Sequence, residues 1–173
     1  MKIAERYIVL ASHNQRMNAR LFRLVSSLDV ASQTEDKGAF FGSILGTLNH
    51  IIFGNHFLLT RVRALINRPS PLDAIPPQWD FQPDKQYGAS VAELATICAD
   101  IDQAVCEFVS TLDERDLGKE TDDAIPLWAL LDQLFQHQTH HRGQATTLLS
   151  QCGVDYPSFA DVIGTLQGES APF

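Results

Sequence analysis

Cysteine is scarce in this chain, with 3 among 173 residues, at positions 98, 106 and 152. An odd number without zinc-finger spacing argues against a disulfide framework. Cys98 and Cys106 fall in an amphipathic pattern and read as small buried residues. No apolar run is long enough to span a bilayer. Met1-Lys2-Ile3-Ala4-Glu5-Arg6 lacks the basic-then-apolar order of a secretory leader. Internal repeats and low-complexity tracts are missing, and strand-type alternation is rare. A clustered basic patch is missing too. The net charge is −8. Residues 1–68 carry 9 Lys/Arg against 4 Asp/Glu, a net +5, and residues 69–173 carry 4 against 17, a net −13. The basic residues are spread along helical patterns, which predicts solvated faces and attraction between the two parts of the chain. The resulting expectation is a cytoplasmic protein with neither a membrane nor a nucleic-acid partner.

The hydrophobic content of 45% is that of a globular protein, and the length suits one domain over residues 1–173. The fold class reads as all-α. Apolar residues at steps of three and four predict long helices at about 3–28, 39–66, 90–112 and 126–152. Ser90 and Glu93 read as a capping box, and Pro126 suits a first turn. Residues 29–37 and 113–124 read as connectors, and a short fifth helix is expected near 157–163. Residues 67–87 hold Pro69, Pro71, Pro76, Pro77 and Pro83, which forbid a continuous helix. This is a four-helix bundle with a long crossover between helices two and three.

The most informative stretch is His137-Gln138-Thr139-His140-His141-Arg142-Gly143-Gln144. His137 and His141 stand four apart on a stripe with Leu127, Leu130, Leu134, Ala145, Leu148 and Cys152. Two histidines therefore interrupt a core-facing row. A buried imidazole needs a partner for each ring nitrogen, and a shared metal ion supplies one for both. Hydrogen bonds within the core are the alternative. His140 groups with Asp132, Gln133, Gln136 and Thr147 on the polar side. The spacing of His137 and His140 also permits a pair, but the stripe favours His141.

A zinc-like site with an open position normally takes three protein ligands. The best third candidate is His50, in the middle of helix two, in a row with Gly42, Gly46 and Gly54. Glycine inside a helix costs about 1 kcal/mol relative to alanine. Such a row allows a backbone or a ligand to come close to His50. Leucine at Gly46 or Gly54 is then expected to block a small thiol while metal is retained. The crossover around Trp79 and Phe81 is expected either to wall a substrate pocket or merely to cover the bundle. His13 and His56 read as surface or boundary residues. No carboxylate is placed as a fourth ligand. Three neutral imidazoles suit a divalent transition metal, with Zn or Ni as first choices and Fe, Co or Mn as further candidates.

Phe40-Phe41-Gly42-Ser43-Ile44-Leu45-Gly46-Thr47-Leu48-Asn49-His50-Ile51-Ile52 and Leu59-Thr60-Arg61 resemble the second helix of the DinB (damage-inducible) family. Phe135 to Gln144 resembles its fourth-helix signature. The resemblance runs in order along nearly the whole chain, with departures at Asn55, Leu58 and Gln136. It implies a DinB-like four-helix bundle with metal at His50, His137 and His141. It also implies kinship with S-transferases that use bacillithiol, mycothiol or glutathione, in which the metal activates the thiol, and with homodimers. The expected function is thus a metal-dependent thiol S-transferase or related enzyme with a low-molecular-weight thiol or other small-molecule substrate. The alternative is a non-catalytic metal-binding stress-response protein. No catalytic residue is assigned.

Overall fold

The computed structural model describes residues 2–76, 82–155 and 162–166. Among them the chain forms seven α-helices and one 3₁₀ turn, with no strand beyond two isolated bridges. The helices are α1 (Ile3–Ser26), α2 (Val30–Thr34), α3 (Ile44–Leu65), α4 (Val91–Ser110), α5 (Glu114–Leu117), α6 (Leu127–Gln151) and α7 (Val162–Leu166). The all-helical expectation holds. No helix among the described residues is long and apolar enough to cross a membrane.

Local chemistry sets the ends. Ser43 caps α3 by accepting from the Gly46 amide, and Gly42 turns the preceding chain at φ +72°. Both facts start α3 five residues later than the expected residue 39 and leave Gly42 outside the helix. Ser90 caps α4 by accepting from the Glu93 amide, while the Glu93 carboxylate accepts from Ala89 rather than from Ser90. Gly153 follows α6 with φ +74°, a left-handed stop that glycine adopts at no steric cost. The connectors hold short helices that periodicity did not reveal. Asp29 caps α2 and Asp113 caps α5. Ser70 and Asp73 cap a 3₁₀ turn, Pro71–Ala74, inside the proline-rich segment. The fifth helix is described only as α7, and residues 157–161 lie outside the described residues.

α1 packs along α4 and α6, and α3 packs along α6 and α4. Tyr7, Leu21, Leu48, Ile51, Leu94, Phe108, Leu127 and Leu134 from these four helices are buried in one apolar cluster. Each such side chain contributes about 1.5–3 kcal/mol when fully withdrawn from water. The expected attraction between the basic and acidic parts is seen in two forked pairs. Arg68 holds both oxygens of Asp116 at 2.9 and 2.8 Å. Arg61 holds both oxygens of Asp123 at 2.9 and 2.7 Å.

Four helices also meet in a buried polar layer that the sequence did not announce. The Arg142 guanidinium on α6 donates to the side-chain oxygens of Asn14 and Asn18 on α1. Those two amides in turn donate to the Asp102 carboxylate on α4, at 3.0 Å from Asn14 and 2.9 Å from Asn18. Asn18 also donates to Gln138 at 2.8 Å, and Gln138 donates to Asn55 on α3 at 2.7 Å. A cation and an anion are thus joined through two relaying amides. Burial pushes the Asp102 carboxyl up to about 6, so it is mostly ionised at neutral pH.

Candidate metal centre

The packing of α3 on α6 brings His50 against His137 and His141. One ring nitrogen of each of the three lies within 4.8 Å of the others. The Nε2 atoms of His50 and His137 are 3.3 Å apart. Two nitrogens at about 2.0–2.1 Å from a tetrahedral ion are separated by about 3.3 Å, so this edge already has the width that such an ion needs. His50 and His141 are buried and His137 is partly so. His140 is exposed and touches the trio only through its edge-on contact with His141.

Two of the three rings are held from behind. His50 Nδ1–H donates to the Pro83 carbonyl at 3.0 Å. His141 Nδ1–H donates to the Gln144 amide oxygen at 2.7 Å, one helical turn on. Each bond fixes the tautomer and leaves the Nε2 lone pair free toward the cluster. His137 Nδ1 has no hydrogen-bond partner among the described residues. Its ring is held by shape, because it packs directly against Gly54. A Cβ built on Gly54 would fall 2.0 Å from His137 Cε1.

Electrostatics prepare the same lone pairs. Burial, followed by the neighbouring imidazoles, holds His137 down to about 4. Burial also brings His141 to about 4 and lowers His50. All three are uncharged at neutral pH and able to donate to an ion without first losing a proton. Phe41 stacks on His50 with ring centroids 3.9 Å apart and meets His141 edge-on at 5.6 Å. It supplies the apolar shell that limits water near the site.

The crossover reaches this site through Pro83. Trp79 and Phe81 lie outside the described residues, but Pro83 of the same segment holds His50. Asn49, beside His50 on α3, clamps that segment. It accepts from the Tyr87 and Gly88 amides at 2.6 and 3.1 Å and donates to the Gly88 carbonyl at 3.1 Å. Phe41 and Pro83 also line a cavity of about 700 Å³ beside the start of α3.

Two expectations are corrected. The glycine row does not open a channel to His50. Gly42 is in a turn, Gly46 makes room for the Phe41 carbonyl, and Gly54 makes room for the His137 ring. Bulk at Gly54 therefore displaces a candidate ligand instead of sparing the metal. Gly54→Ala is expected to lose metal as fully as His137→Ala while its helical circular dichroism stays intact, since alanine favours the helix. Full metal content in Gly54→Ala would contradict the contact. The second correction concerns His13 and His56, which are buried rather than at the surface or boundary. His13 bonds Thr165 of α7 at 3.2 Å, and His56 stacks on Tyr87.

The sequence reading overlooked Gln144 and Phe41. Gln144 had a visible signal, three residues after His141 on one helix face. Phe41 had none, because it reaches the site through a turn.

No curated protein and no solved structure matches the chain. The sequence profile of the DinB family matches residues 2–168. With that span covering nearly all of an all-helical chain whose three histidines converge from two helices, the protein belongs to the DinB family.

Proposed function

We propose that the protein binds one divalent transition-metal ion through His50, His137 and His141, and that it serves as a thiol S-transferase or a related enzyme. The observation that carries the first part is the convergence of three imidazole nitrogens within 4.8 Å. Two are fixed in the ligating tautomer and all are neutral at pH 7. An all-nitrogen set of this kind suits Zn or Ni first, then Fe, Co or Mn. Three protein ligands leave room for a further ligand, and a bound ion would keep a coordinated thiol deprotonated.

The chain's own cysteines support an external thiol. Cys98 is buried, and burial raises its thiol well above the ordinary range. Burial also raises Cys106 to about 11. None of the three cysteines, Cys152 included, belongs to the histidine cluster, which favours a nucleophile that arrives as a small molecule. The cavity bordered by Phe41 and Pro83 offers it space. Cobalt-substituted protein tests this reading. Bacillithiol, mycothiol or glutathione is expected to shift its d–d spectrum. If none of the three does so while cobalt is bound, the transferase reading fails and metal binding without catalysis, in a stress response, takes its place.

The same proposal reads α1, α3, α4 and α6 as a four-helix bundle with the segment between α3 and α4 as its long crossover. The pairings of α1 with α4 and of α3 with α6 support it. It also takes the molecule to be a cytoplasmic homodimer. Three free cysteines suit a reducing compartment. Ile3 and Ile8 on α1 and Trp128 on α6 are exposed apolar side chains that a partner copy would cover. Sedimentation at micromolar concentration is expected to show a dimer, and a monomer alone would refute that part.

A further inference from the structure

A second cavity lies between α3, α4 and the Pro71–Ala74 turn, and the metal reading does not use it. Its volume is about 660 Å³, within the range of sites for small organic ligands, roughly 300–1,000 Å³. Its walls are largely apolar and include Ile75, Ile101 and Ala104. Asp100, Gln103 and Glu107 of its lining are exposed, whereas His56 is buried. His56 is 7% exposed, lines the cavity and stacks on Tyr87 with an interplanar angle of 7° and centroids 5.1 Å apart. Neither of its ring nitrogens has a hydrogen-bond partner among the described residues. His56 follows His50 by six residues, which turns it by about 240° to another face of α3. The metal cluster and this cavity are therefore separate.

A neutral imidazole offers one donor and one acceptor. Both nitrogens remain open to water in the cavity, so a ligand that supplies a matching acceptor or donor can displace that water. The charges around it do not favour a ligand of either sign. Asp100 and Glu107 belong to its lining, while the positive charges of Arg63 and Lys85 also act on His56. We infer that this cavity is a second binding site, for a small neutral aromatic molecule bearing a hydroxyl or N–H group. The ring lies against Ile101 and Ala104, and the polar group bonds His56. A hydroxyl matches imidazole in both directions, because it can accept from the ring N–H or donate to the other nitrogen.

Phenol and toluene are the probes, used with the full chain in its metal-loaded form and followed by NMR. Phenol is expected to bind saturably and to shift the His56 ring signals and the Ile101 and Ala104 amides, leaving the His141 ring signals in place. His56→Phe keeps the aromatic stack on Tyr87 and removes the hydrogen bond. It is expected to weaken phenol at least tenfold and to leave toluene unchanged. Ala104→Leu fills the cavity and is expected to weaken both at least tenfold. The proposal is overturned if phenol does not saturate, if His56→Phe binds it as tightly as the parent, or if the shifts centre on the histidine trio. Should His56→Phe prove unfolded by its circular dichroism, Ala104→Leu decides: unchanged phenol binding in that variant overturns the site.

Discussion

His50→Ala, His137→Ala and His141→Ala will each leave the purified protein with little or no metal, while His140→Ala will keep about one ion per chain. Elemental analysis checks this directly. The three neutral nitrogens converge on one point, and removing any of them leaves a two-ligand site. The loss will also lower thermal stability. An ion present at about 1,000 times its dissociation constant adds about 4 kcal/mol to the folded state, which in a domain of this size is worth about 8–16 °C in Tm. Gln144→Ala is expected to act more mildly, weakening the ion by about 10–100-fold through the freed His141 ring. Because burial lowers all three imidazoles, His137 and His141 to about 4, protons will begin to compete with the ion only below the ordinary imidazole range. Undiminished metal in all three alanine variants would end the metal reading.

The second large effect lies away from the candidate site. Asp102→Ala is expected to destabilise the protein by about 3–5 kcal/mol, because it removes an anion from the buried layer around Arg142 and leaves the Asn14 and Asn18 amides without their acceptor. Stabilities of whole domains are about 5–15 kcal/mol, so this one change removes a large share. Asp102→Asn is expected to help only in part. Every partner of the carboxylate is a donor, namely Asn14, Asn18 and the Cys98 thiol, and an amide NH₂ would face one of them. Urea unfolding of the three proteins measures the effect. A loss below about 1 kcal/mol for Asp102→Ala would mean that the relayed pair contributes little.

The histidine trio was legible in the sequence because its signal is local. His137 and His141 break an apolar stripe at one-turn spacing, and its five leucine and alanine positions are all buried, with Cys152 partly so. His50 was legible as a polar residue in the middle of an apolar helix. The Arg142–Asp102 layer was not. Asn14 and Asn18, and likewise Gln138 and Arg142, stand four apart on their own helices, which is equally the pattern of a solvated face. Only the meeting of α1, α4 and α6 tells the two apart. Gly54 was noticed for the right reason, close approach, but the approaching group proved to be His137. The short helices α2 and α5 escaped because four or five residues do not complete a hydrophobic period, although their Asp29 and Asp113 caps were in plain view.

The meeting of His50 with His137 spans 87 positions of chain. In a zinc finger the ligands stand close together and the ion can gather them while the rest is still a coil. Here the corresponding loop must already be closed, and its closure entropy borne, by the docking of α3 on α6. During synthesis His50 therefore leaves the ribosome long before its two partners exist. The nascent protein has no complete donor set to offer until the segment that carries His137 and His141 has emerged and settled. Selection of an ion by this trio would consequently be a late event, following the docking of α3 on α6.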